Sequence, residues 1–104
     1  MTIAHAMYTV KAEYATQNKK HVSQVIEELQ ALHRDDIQYS VFVQEDGKTF
    51  THLLICANEE AGRAFTGLKA FAAFQAALTE SQPEVSPSVN NVTLVGSTSD
   101  LLSR

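Results

Sequence analysis

Three side chains in predicted strands of this 104-residue chain are of types that could do chemistry: Tyr39, His52 and Cys56. His52 lies in a run of β-branched and apolar residues. An imidazole sheltered there, with a pKa near neutrality, would serve as a general base or as a hydrogen-bond donor to a phenolic substrate. The plainer reading is a histidine whose nitrogens are satisfied by its neighbours. Tyr39 shares a predicted sheet face with His52, diagonally across a hairpin, so the two could hold one ligand oxygen. They are the candidate catalytic residues, with Tyr39 as simple wall the alternative, since tyrosine fills such places well. Cys56 falls on the same face, two pairs further along. It counts as a possible substrate contact and not as a nucleophile, because no histidine is placed to activate it. Phe65, Phe71 and Phe74 recur at helical spacing. They read as core, or, for Phe65 and Phe71 above all, as walls of an aromatic substrate pocket. His5, His21 and His33 are dispersed over separate elements and fit no metal motif, and neither a phosphate loop, a G-x-S-x-G turn nor a paired carboxylate is present.

The elements that must position these groups are legible from periodicity. Residues 7–14 alternate and are rich in Tyr, Val and Thr, predicting a first strand. Thr16 or Asn18 could then cap a helix whose stripe is Val22, Val25, Ile26, Leu29 and Leu32, running to about Arg34. Two β-rich runs, residues 37–43 and 49–56, flank Asp46-Gly47, which predicts a tight hairpin turn. A two-residue turn pairs Glu45 with Lys48, and so sets Val43 opposite Phe50, Val41 opposite His52 and Tyr39 opposite Leu54. Asn58-Glu-Glu60 is a helix start, and Gly67 predicts a break before a second helical piece over residues 68–79. Residues 82–90, with two prolines, predict an extended loop, residues 91–97 a last strand, and Leu101-Leu102 a short tail. The order is β-α-β-β-α-β, an α+β, ferredoxin-like arrangement with an antiparallel sheet.

Both hairpin faces carry large apolar residues, so something must cover each. Two helices on one face leave the other, read as Ile37, Tyr39, Val41, Phe50 and Leu54, in water. An apolar patch of that kind marks an association surface, and a second copy of the sheet is the economical partner, so a homodimer is expected. A net charge of −4, with no evident basic face, argues against a phosphate-backbone binder. One cysteine excludes an internal disulfide and a cysteine metal cluster. No apolar run approaches the roughly 18 residues of a membrane span, and the first residues lack the pattern of a secretory signal, so a single cytoplasmic domain over residues 1–104 is expected.

The segment 32–52, above all Tyr39-Ser-Val-Phe42 and Glu45-Asp-Gly47 leading to Phe50-Thr-His52, resembles the antibiotic biosynthesis monooxygenase-like domains of the dimeric α+β barrel superfamily. Leu68-Lys-Ala-Phe-Ala-Ala-Phe-Gln-Ala-Ala-Leu78 and Leu94-Val-Gly-Ser97 resemble it too. The resemblance implies two sheets packed face to face in a dimeric α+β barrel, with a small-molecule cavity between sheet and helices. The best-known enzymes of the superfamily carry a Trp near the position of Cys56 and a His near that of Phe65. This chain has no Trp and no His after His52, which argues against the haem-degrading branch and weakens quinone-forming chemistry on polyketides. The first expectation is therefore a homodimer that binds a small, apolar or aromatic molecule, acting, if catalytic, as a cofactor-independent monooxygenase. The alternative is a non-catalytic binding or structural domain with a packed barrel. An open cavity that reaches His52 separates the two.

Overall fold

The computed structural model describes residues 1–98, so Leu101 and Leu102 lie outside it. Four strands form one antiparallel sheet: β1 (Thr2–Thr9), β2 (Ile37–Val43), β3 (Thr49–Cys56) and β4 (Val85–Val92), in the order β2-β3-β1-β4. Helices α1 (Ala15–Ala31), α2 (Glu59–Thr66) and α3 (Lys69–Glu80) complete the β-α-β-β-α-β order, with the second helical unit broken in two. This is the expected ferredoxin-like α+β fold.

The hairpin register is as expected, with Val43 opposite Phe50, Val41 opposite His52 and Tyr39 opposite Leu54. Its turn is not the two-residue form, whose favoured types need positive φ at the first central position, here Asp46, or at both. Only Gly47 has positive φ, at 75°, and the Gly47 N–H donates to the Gln44 carbonyl at 2.9 Å. The Asp46 carboxylate accepts from the Lys48 and Thr49 N–H groups, both at 2.9 Å, and so fixes a wider loop of the same parity. Asn58 caps α2 by accepting from the Ala61 N–H at 2.8 Å, as its position before two glutamates predicts. The break falls at Gly67, and α3 then begins on a borrowed cap: the Glu28 carboxylate of α1 accepts from the Lys69 and Ala70 N–H groups at 3.2 and 2.7 Å.

Three elements differ in their bounds from expectation. β1 lies earlier, because eight residue pairs with β3 outweigh the weak strand propensity of its alanines, and residues 12–14 form a single 3-10 turn leading into α1. Neither Thr16 nor Asn18 caps α1; both lie inside it, and Asn18 is fully buried. The helix ends at Ala31, short of Arg34, with His33 in the left-handed region at φ 51°. The last strand is residues 85–92 and not 91–97, for Pro87 is tolerated on an edge strand where the pairing register shifts between Met7 and Thr9.

The largest correction concerns which face the helices cover. Tyr39, Val41, Phe50 and Leu54 pack beneath them, in a core with Tyr8, Val10, Val25, Phe65, Phe74 and Leu78. These are the bulkier apolar residues of the hairpin, and covering the side with more apolar surface is the more stabilising choice. The uncovered face carries Phe42, 59% exposed, with Met7 and Val92 also exposed. The homodimer expectation therefore loses the surface it was drawn on; any sheet-to-sheet association would use the Phe42 face.

Candidate functional site

Adjacent strands set three polar aromatic side chains on the covered face. His52 stands in the centre of the sheet on β3, directly flanked by Ala6 on β1 and Val41 on β2. Tyr8 is diagonal to it on one side and Tyr39 on the other, displaced in opposite directions along the strands. Diagonal neighbours lie within reach of aromatic side chains. The Tyr8 hydroxyl meets His52 Nε2 at 2.7 Å, and the Tyr39 hydroxyl meets Nδ1 at 2.7 Å. From the first turn of α1, Asn18 Nδ2 donates to the Tyr8 hydroxyl at 2.8 Å, while Asn18 Oδ1 is buried with no partner among the described residues. One chain of hydrogen bonds thus runs from α1 across three strands.

Burial governs the protonation of this chain. His52 is 7% exposed, and desolvation of its charged form pushes its pKa down to about 4. Burial likewise raises the Tyr8 and Tyr39 hydroxyls well above the usual phenol value. All three groups are neutral across the physiological range, with no carboxylate bonded to the ring. Of the two readings of His52, the hydrogen bonds are those of the plainer one: both ring nitrogens are engaged by neighbouring tyrosines in a dry environment.

Beside the chain lies a cavity of about 390 Å³ between sheet and helices. Its floor includes Ala4, Ala6, His52 and Leu54, and Tyr39, Phe65, Phe71 and Phe74 stand around it. The rings interlock, Tyr39 with Phe65 at 4.9 Å between centroids and Phe65 with Phe71 at 4.8 Å. The cavity therefore reaches His52, and it collects four of the five residues expected at the site: His52, Tyr39, Phe65 and Phe71. Cys56 is not among them. It is buried as a free thiol, its pKa raised by desolvation, and it lines an adjoining groove that shares Ala4, Leu54 and Thr66 with the cavity. Among the described residues, no group of three His, Cys, Asp or Glu side chains is placed to hold a metal ion, and no helix is long and apolar enough to cross a membrane.

Tyr8 and Asn18 were missed as site residues. The sequence signal for Tyr8 was available in the alternation of the first strand, but its partner on β3 depends on a register that no turn connects. Asn18 gave a misleading signal, since an Asn near a helix start reads as a cap.

No family model matches the chain, and no curated protein matches it. Many solved structures share its fold. One described as an antibiotic biosynthesis monooxygenase is 13% identical with a TM-score of 0.74, over 92% of this chain and 100% of that one. Two others carry the same description as a provisional name. The protein from Deinococcus radiodurans is 15% identical with a TM-score of 0.72, over 95% of this chain and 97% of its own. That from Caulobacter crescentus is 16% identical with a TM-score of 0.75, over 91% and 90%. The fold is thus that of antibiotic biosynthesis monooxygenase-like proteins; at these identities the likeness speaks for architecture and not for activity.

Proposed function

We propose that the chain binds a small, largely apolar aromatic molecule in the cavity between sheet and helices. The observation that carries this reading is an apolar cavity of about 390 Å³ that opens onto the Tyr39–His52 pair. Concave, aromatic-lined space with a few convergent polar groups is the usual form of a small-molecule site. As a catalyst it would be a cofactor-independent oxygenase, in keeping with the names carried by its structural neighbours. The substrate would then supply the electrons: an activated CH2 and O2 give a carbonyl and one water, and the protein contributes orientation and dryness. Tyr39 would hold the substrate oxygen and His52 would hold Tyr39. The second reading is a binding domain without turnover, favoured by the engagement of both His52 nitrogens, which leaves no free base.

Thermal melts with a panel of quinols and flavonoid-like phenols test the site. A ligand in the cavity raises the melting temperature of the wild-type chain by mass action, and Ala6→Leu, which fills the cavity floor, abolishes the rise. A panel without any shift, or a shift unchanged in Ala6→Leu, overturns the reading. Oxygen uptake with the shifting ligands then separates oxygenase from binder.

The chain is further proposed to form a homodimer through the Phe42 face, because an exposed Phe, Met and Val on one open sheet face invite a second copy. Phe42→Glu should give a folded monomer; an unchanged mass by light scattering, or a wild-type monomer, excludes this surface.

A further inference from the structure

We infer that Asn18, Tyr8 and His52 form an ordered hydrogen-bond relay that frees the Tyr39 hydroxyl proton for the ligand, so that the cavity selects aromatic molecules bearing a carbonyl or other acceptor oxygen. The ligand half of this inference rests on the cavity being the binding site; the relay itself does not.

The order follows from counting protons. The Asn18 amide is oriented with Nδ2 towards Tyr8, the arrangement that leaves one buried acceptor and not the whole NH2 group unpartnered, so the Tyr8 oxygen is the acceptor in that bond. Tyr8 has one proton left to give, and His52 Nε2 stands 2.7 Å away. Were Nε2 protonated instead, Tyr8 would accept twice, and its own proton would be buried, on a residue 2% exposed, without an acceptor. An unmade hydrogen bond at a buried donor is the costlier arrangement. Nε2 is therefore the acceptor nitrogen. A neutral imidazole then carries its proton on Nδ1, which must donate to the Tyr39 oxygen at 2.7 Å. Tyr39 accepts from His52 and keeps its own proton. Among the described residues that hydroxyl has no other hydrogen-bond partner, and Tyr39 lines the cavity. The relay thus delivers one donor at the sheet side of a mostly apolar space, whose other polar lining residues, Thr66, Gln75 and Thr79, come from the helices. In this arrangement Asn18, Tyr8 and His52 are positioning residues that act through Tyr39.

The relay is tested first without ligand. Nitrogen-15 NMR of the histidine-labelled full chain at neutral pH should show the His52 ring with a protonated Nδ1 and a bare Nε2. The opposite tautomer overturns the relay whatever the ligand result. In Asn18→Asp, whose carboxylate accepts the Tyr8 proton, the tautomer should invert; if Nδ1 stays protonated in that variant, the relay is also overturned. The ligand half is tested with 1-tetralone and tetralin, one skeleton with and without a carbonyl. The wild-type chain should prefer the ketone by about 3- to 10-fold, the range of one net hydrogen bond, and Tyr39→Phe should erase that preference while still binding tetralin. Equal affinities in the wild type overturn the selection. Failure of both ligands to bind, with Nδ1 protonated, overturns the cavity reading and leaves the relay standing.

Discussion

Acid should unfold this protein early, through His52. The perturbation is a fall in pH from 7 to 4. In the fold the imidazole titrates at about 4, against 6.5 in an unperturbed chain, because burial penalises the cation. A depressed base stabilises the fold fully above the unfolded value, and that stability is lost as pH falls from about 6.5 towards 4, where the unfolded chain takes up a proton that the folded one refuses. At about 1.36 kcal/mol per pH unit, this gap amounts to about 3 kcal/mol. A domain of this size has only about 5–15 kcal/mol in all. Carboxylates with lowered pKa values, Asp36, Asp46 and Glu60, all at the surface, also lose their stabilising charge, but lower in the range. The assay is therefore a comparison of urea unfolding at several pH values between wild type and His52→Gln, which keeps a donor and an acceptor but cannot charge. The two stability curves should converge by about 3 kcal/mol between pH 6.5 and 4. Parallel curves would refute the claim that His52 is held neutral by burial.

Three further outcomes are expected. Gly47→Ala places a side chain at φ 75° and should lower the urea midpoint by an amount worth about 1 kcal/mol, with ligand shifts unaltered. Glu28→Ala removes the acceptor for two N–H groups at the start of α3 and should cost about 1–2 kcal/mol, with faster hydrogen exchange at Lys69 and Ala70. Phe50→Ala, at a ring 2% exposed and stacked 5.7 Å from Tyr8, should cost about 3–5 kcal/mol by chemical denaturation.

The hairpin was legible because its determinants are local. A turn of fixed parity and two alternating runs set the Tyr39–Leu54 and Val41–His52 pairs, and those pairs put His52 and Tyr39 on one face. The Asn58 cap and the break at Gly67 were local too. Failure began where a long-range choice decided the outcome. Alternation separates two faces of a sheet but does not say which one the helices take, and here both faces carry Phe, Val or Leu. The side with Tyr39 and Phe50 offers more apolar area, and that difference is invisible to periodicity. Asn18 failed for a related reason. Locally it is a good cap; in the fold it is inside the helix, fully buried, and bonded to a strand ten residues earlier.

The cavity has its own physical origin in side-chain size along β1. On the covered face that strand presents Ala4, Ala6 and Tyr8 in succession. At the Tyr8 end the ring packs with Phe50 and Phe74, so the core is filled. At the alanine end the floor drops, while the surrounding rings of Tyr39, Phe65 and Phe71 hold each other apart at about 5 Å. A stretch of core is thereby replaced by space, at a cost in packing. The hydrogen-bonded chain stands at the boundary between the filled and the empty end. There its members are dry enough to stay neutral, while Tyr39 lines the cavity, where the proposed ligand oxygen would meet it. The polar group and the void are thus two consequences of one strand's change from alanine to tyrosine, which is why a change at Ala6 tests the void and a change at Tyr39 tests the polarity.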